Sequence, residues 1–204
     1  MVPNNFYIEN QINRLNFSAQ QRDWAENDTL TDAFIDYLER APDDNSFEIF
    51  CQLFDKMLRI VRYNILAALM HRESKTAIRL AVKMFAFEMG IVGWDGDCLL
   101  VDFKPKDCLY DDFVDIAANI LMGYSFWSEP TIKHVFAFIN SATPEERRTA
   151  LIFLDGWMTR SKNRLSNEMY SCLIEADLHD DPISQTMRSN IFTKQRVLKN
   201  ASNE

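Results

Sequence analysis

The residue spacing in this sequence that comes closest to a catalytic motif is that of Asp111, Asp112 and Asp115. On a helix, positions 111 and 115 lie one turn apart and position 112 lies beside them, so the three carboxylates project together. Carboxylates placed in this way can bridge Mg²⁺ ions to a diphosphate substrate. A structural interpretation stands beside this one, because Asp111 and Asp112 fall in the predicted first turn of a helix, where carboxylates stabilise the helix dipole.

Other side chains that commonly perform chemistry are dispersed along the chain. The three histidines, His71, His134 and His179, form no His-Glu-x-x-His motif. The four cysteines form no close pair with the spacing of a zinc or redox site. There is also no glycine-rich phosphate loop or nucleophile elbow. We therefore expect no catalytic residue, no resident metal and no cofactor.

Charge alternates in blocks along the chain, which has a formal net charge of −8. Residues 1–50 carry ten acidic and three basic side chains, whereas basic side chains are in excess over residues 51–89. Such blocks can pair with one another across the fold, or they can present an acidic face to a cationic partner. The acidic balance argues against direct nucleic-acid binding, which needs a basic face for the phosphates.

Apolar residues recur at helical spacing almost to the C-terminus, with only 5 Gly and 6 Pro in 204 residues. The pattern predicts an all-α fold of eight or nine helices packed as antiparallel hairpins. We expect one domain over residues 1–204, with the core helices in 45–160 and a C-terminal helix with a frayed tail in 182–204. Asp95-Gly96 between apolar flanks indicates a loop or a short β-hairpin over 91–103.

Capping signals and apolar spacing place the helices along the chain. Thr29 is expected to cap a helix through Arg40, and Ser74 to cap one that ends near Met89, with Gly90 as its closing residue. Thr143 is expected to open another helix, with Glu146 closing a capping box. The remaining predicted helices are 4–24, 46–72, 107–124, 128–140, 165–178 and 183–199. The longest, 46–72, carries an apolar face opposite a polar face with Lys56, Arg59 and Arg62.

Three segments resemble helical immunity proteins of the PoNi type, which bacteria make against their own polymorphic DNase toxins. In that family a long helix enters a Tyr-Ser-x-Gly-Glu-like turn. A similar arrangement is seen here where Tyr63 to Leu69 leads into His71-Arg72-Glu73-Ser74. Ile120 to Ser125 resembles a later leucine-rich helix, and Phe153 to Met158 resembles a Leu-x-x-Trp-Tyr helix. The resemblance covers about 46–160 and implies a basic toxin or nuclease as the partner.

The leading hypothesis is a non-catalytic, cytosolic binding protein that occludes the active or substrate-binding site of a cognate toxin through an acidic surface. The residues that we expect at the partner are Asp111, Asp112, Asp115, Asp177, Asp180, Asp181 and Trp127, with Trp24 as a second aromatic anchor. One alternative is a Mg²⁺-dependent all-helical enzyme that acts on a diphosphate substrate through Asp111, Asp112 and Asp115. Another is a scaffold or regulatory subunit, with a phage as one origin. No apolar segment is long enough for a membrane span, and no cationic start of a secretory signal is present.

Overall fold

The computed structural model describes residues 4–40, 44–69, 71–92, 127–178 and 181–201. All regular structure in these ranges is helical, which confirms the all-α prediction. The nine helices described are α1 (Asn4–Gln20), α2 (Trp24–Arg40), α3 (Asp44–Cys51), α4 (Arg59–Leu69), α5 (Lys75–Val92), α6 (Glu129–Ile132 and Phe136–Ile139, joined by the 3₁₀ turn Lys133–Val135), α7 (Pro144–Ser161), α8 (Asn167–Glu175) and α9 (Pro182–Asn200).

The described helices belong to two compact units, Met1–Met84 and Phe85–Glu204. The domain boundaries stay a prediction. The expected hairpin or loop at 91–103 and the expected helix at 107–124 lie outside the described residues, apart from the end of α5. No helix among the described residues has the length and apolar content needed to cross a membrane.

In the first unit, α1 and α2 pack against each other, and α4 packs against both. Their apolar stripes bury Ile12, Phe34 and Ile65 almost completely. The buried Asn27 side chain links the three helices: its Nδ2 donates to Leu15 O at 2.8 Å, and its Oδ1 accepts from Asn64 Nδ2 at 2.8 Å. Because both polar ends of this buried amide are satisfied, the helices are held in one relative register.

The prediction of one unbroken helix over 46–72 is wrong, because the chain forms α3, a 3₁₀ turn at Phe54–Lys56 and then α4. The break contains no Pro or Gly and is stabilised by two side chains, one from α4 and one from α1. Arg62 donates to Phe54 O at 3.1 Å and to Met57 O at 2.5 Å. Asn16 donates to Lys56 O and accepts from Leu58 N, both at 2.9 Å. Arg62 is thus buried in the fold, not on the predicted polar outer face.

Several predicted caps also need correction. Thr29 lies inside α2, and the N-terminal cap is Asp23, which accepts from Glu26 N at 3.1 Å. Thr143 does precede α7, but Glu146 accepts from Ser141 Oγ at 2.6 Å instead of closing a box with Thr143. Gly90 does not end α5, which runs on to Val92. Ser74 caps α5 as predicted, since its Oγ accepts from Ala77 N at 3.0 Å.

In the second unit, α7 is the central helix and packs against α6 and α9. Its predicted inward positions Ala150, Leu151, Leu154 and Met158 are all buried, together with Trp157. The Trp157 indole donates to Trp127 O at 2.8 Å. The α7–α8 connection is fastened to α9 by the buried Gln195 side chain, which exchanges hydrogen bonds of 2.9 and 3.0 Å with the backbone of Leu165.

Candidate functional site

The residues predicted to meet a partner have different positions in the structure. Asp111, Asp112, Asp115 and Asp180 lie outside the described residues. Asp177 is exposed after the end of α8, and its backbone N–H donates to Asn140 Oδ1 at 3.0 Å. Trp24, at the start of α2, is 43% exposed. Of the described candidates, Asp177 and Trp24 are thus on the surface.

Trp127 and Asp181 are not on the surface, which corrects their assignment as partner contacts. Trp127 is only 3% exposed because its ring lies edge-on to Phe153, with centroids 6.3 Å apart, in the core of the second unit. The Asp181 side chain is 4% exposed and forms a bidentate ion pair with Arg148, with both hydrogen bonds at 3.0 Å.

Asp181 has a structural role at the start of α9. Its Oδ1 accepts from Ile183 N at 3.2 Å, and its Oδ2 accepts from Ser184 Oγ at 2.7 Å, so it caps the helix while it binds α7. Burial by itself would raise the pKa of this carboxyl, but the hydrogen bonds from Arg148 and Ser184 outweigh burial and lower the pKa. Asp181 therefore remains ionised and paired.

A cavity of about 440 Å³ lies between α2 and α4 in the first unit. The α2 side contributes Asp28, Thr31 and Asp32 to its lining. The α4 side contributes Asn64, Ala67 and Ala68. The chain after α4 contributes His71 and Arg72. The small alanine side chains leave space between two helices that otherwise pack closely.

Arg72 forms one edge of this cavity and is surrounded by carboxylates. It donates to Asp32 Oδ1 at 3.0 Å, to Glu39 Oε2 at 3.1 Å and, through a very short contact, to Asp36. The hydrogen bond from Arg72 lowers the pKa of Asp36, and the same bond raises the pKa of Arg72 further above its ordinary value. This pairing confirms, for these two charge blocks, the expectation that they meet across the fold.

Three acceptor groups at the cavity remain without partners among the residues that the structure describes. The Asp28 carboxylate makes no hydrogen bond or ion pair there, and Asn64 uses only its Nδ2. Thr31 is 2% exposed, yet its hydroxyl has no hydrogen-bond partner. The site is thus rich in acceptors. In the same described ranges, no cluster of His, Cys, Asp and Glu has an arrangement that would hold a metal ion.

Large aromatic side chains are exposed on the first unit as well. Phe6 is 65% exposed and Phe17 is 61% exposed. They are eleven residues apart, or three helical turns, so they lie on one face of α1 about 16 Å from each other. Trp24 begins the next helix after a three-residue connection. Carboxylates occupy neighbouring positions of these two helices: Glu9, Asp23, Glu26 and Asp28 are all exposed.

Sequence reasoning did not identify the α2–α4 cavity. The spacing of Asp28, Asp32 and Asp36, one turn apart along α2, was a readable signal for a row of carboxylates on one helix face. The alanines and Asn64 carry no comparable signal, because their meaning depends on which helix faces them. No protein-family model, curated protein or solved structure matches this chain.

Proposed function

We propose that this chain is a non-catalytic binding protein of the immunity or inhibitor type, which neutralises a cationic protein toxin in the bacterial cytosol by covering its active or substrate-binding site. The observation that carries the proposal is the surface of α1 and α2, where exposed aromatic rings lie among exposed charged side chains. Carboxylates outnumber the exposed Arg14 and Arg22 there, and one of them, Glu9, pairs with Lys56 at 3.2 Å. We call Phe6, Phe17, Trp24 and the carboxylates of Glu9, Asp23 and Glu26 the α1–α2 surface.

The aromatic residues support protein binding as the function. Exposing Phe6 and Phe17 to water is unfavourable, and aromatic side chains contribute a large share of the binding energy at protein interfaces. In the same unit, Phe34 and Phe50 are buried in edge-to-face contact, so the fold does have an apolar interior for such rings. A partner that covered Phe6, Phe17 and Trp24 would remove their apolar surface from water.

The carboxylates support a cationic partner. Opposite charge on two surfaces accelerates their encounter and selects against wrong partners. Inhibition by occlusion needs no catalytic group, which agrees with the absence of catalytic motifs in the sequence. An enzyme that binds nucleic acid has a basic cleft for phosphate, and an acidic surface with aromatic anchors is complementary to such a cleft.

The test uses the full chain and the purified product of the gene that lies beside its own. We expect a stoichiometric complex in calorimetric titration, weakened when NaCl rises from about 50 to about 500 mM because salt screens exposed charges. Phe17→Ala and Trp24→Ala should each weaken binding by about tenfold or more. Ile174→Ala is the matched control, because Ile174 is an exposed apolar side chain on α8 and should leave the affinity unchanged.

Two results would oppose the proposal. If the Phe17→Ala, Trp24→Ala double variant binds as tightly as the unaltered chain, the α1–α2 surface is not the interface. If the neighbouring gene product shows no binding at all and its toxicity persists when the two are coexpressed, the immunity function itself is rejected.

A further inference from the structure

We infer that the α2–α4 cavity binds the guanidinium group of an arginine side chain on the partner protein. This inference rests on the proposed function and deepens it, because it assigns one specific site and one ligand chemistry to a cationic partner. The volume of about 440 Å³ falls in the range of roughly 300–1,000 Å³ that is typical of ligand pockets. A planar group at the end of a long side chain can enter such a cleft between two helices.

The acceptor groups of the cavity match the donors of a guanidinium. Guanidinium carries five N–H donors in a plane and no acceptor, and it binds carboxylates through paired hydrogen bonds. Asp28 offers a carboxylate without a partner among the described residues, and Asp32 uses only its Oδ1 towards Arg72. Two carboxylates one helical turn apart thus face the cavity with free oxygen atoms.

The orientation of the Asn64 amide follows from its neighbours. Asn27 Nδ2 donates to Leu15 O and to Ser18 Oγ, so Asn27 Oδ1 is the acceptor for Asn64. Asn64 must therefore donate through Nδ2, at 2.8 Å, which leaves its Oδ1 as an acceptor at the cavity. The hydroxyl of Thr31 is also unpaired, but its oxygen has almost no accessible surface, so a donor in the cavity reaches it only when the Thr31 side chain rotates. A donor that reaches Thr31 would satisfy a group that is costly to leave unpaired.

The charges around the cavity favour a cation over an anion. Arg72 supplies one positive charge, which is already shared by Asp32, Asp36 and Glu39. Asp28 then adds a negative charge that the described residues do not balance. An anionic ligand would meet Asp28 and Asp32 directly, so its binding would be opposed by like charge.

The experiment titrates the full chain with N-acetyl-arginine amide, with N-acetyl-citrulline amide as a neutral probe of nearly the same shape. Binding is followed through the Asn64 side-chain amide signals in nitrogen-edited NMR spectra. We expect the arginine probe to bind with a Kd in the millimolar range, roughly that of a single charged contact, and the citrulline probe to bind at least about tenfold more weakly.

Two variants localise the site. Asp28→Asn and Thr31→Val should each weaken binding of the arginine probe by about fivefold or more. Glu175→Gln removes the same charge from an exposed position of α8 that does not line the cavity, and it should change the affinity by less than about twofold. Equal binding of the arginine and citrulline probes, or equal effects of Asp28→Asn and Glu175→Gln, would overturn the inference.

The neighbouring gene product distinguishes a partner arginine from a free guanidino compound. Asp28→Asn should weaken the protein complex by about as much as it weakens the arginine probe. If the probe is affected and the complex is not, the ligand is a free guanidino compound and the assignment to a partner arginine fails. If Asp28→Asn affects neither the probe nor the complex, and the complex still forms, only this inference fails. If no complex forms at all, the proposed function is rejected, and the probe titration stands as a separate result.

Discussion

Replacing Asp181 by asparagine should remove the ion pair that joins the start of α9 to α7. Asp181 accepts two hydrogen bonds from Arg148 at 3.0 Å and lies 3.6 Å from Arg147, and the Asp181 and Arg147 side chains are each 4% exposed. Loss of one partner from a buried ion pair costs about 3–5 kcal/mol, because the remaining charge stays buried. Arg148 retains some access to water, so we expect a loss near 3 kcal/mol in the free energy of unfolding.

A comparison of two substitutions separates the ion pair from the helix cap. Asparagine caps helices about as well as aspartate does, so Asp181→Asn reports mainly the lost charge. Asp181→Ala also removes the acceptor for Ile183 N, and it should cost about 1 kcal/mol more. Glu175→Gln is the control, since Glu175 is exposed at the end of α8 and its change should stay within about 0.5 kcal/mol.

The effect should also depend on pH, with a definite sign. The pKa of Asp181 is lowered from 3.8 in the folded chain, so its charge contributes stability above the unfolded-state pKa. That contribution is lost as the pH falls through the folded-state pKa. Urea unfolding followed by circular dichroism measures the loss caused by Asp181→Asn at pH values of about 7 and about 2.5, above and below the ordinary pKa of 3.8. A loss below about 1 kcal/mol at neutral pH, or an equal loss at both pH values, would refute the reasoning.

Three further predictions address other parts of the chain. Arg62→Met should lower the free energy of unfolding by about 2–4 kcal/mol, because Phe54 O and Met57 O lose a charged donor. Thermal unfolding measures this loss, and Arg196→Met, at an exposed position, should leave the melting temperature nearly unchanged. Gly90→Ala should raise the free energy of unfolding by about 0.5–1 kcal/mol, because the position is helical and an added Cβ would make only an ordinary contact, 4.0 Å from Glu145 Cγ. A lower melting temperature would contradict this. Millimolar Mg²⁺ with inorganic diphosphate should leave the melting temperature unchanged, whereas a rise would favour the diphosphate enzyme.

The candidate site was only partly predictable. Trp24, predicted as an aromatic anchor, is exposed in the structure. Trp127, predicted as a partner contact, is not, because its ring is buried against Phe153. Asp181 is predicted to meet a partner together with Asp177 and Asp180, but it is paired with Arg148, which is 33 residues away in sequence and reaches it only in the folded chain. Burial depends on such distant partners.

Local sequence determined the helical class of this protein and most of its buried positions. Phe47, Phe50, Val61, Ile65 and Leu69 recur at helical spacing, and all of them are buried in the structure, because hydrophobic periodicity is a property of neighbouring residues. Tertiary structure decided where that segment breaks, since Asn16 on α1 donates to Lys56 O and accepts from Leu58 N at the break. It also decided where charges remain free. Arg72 is paired with three carboxylates while Asp28 has no partner among the described residues, and that difference depends on how α2 and the end of α4 meet in space.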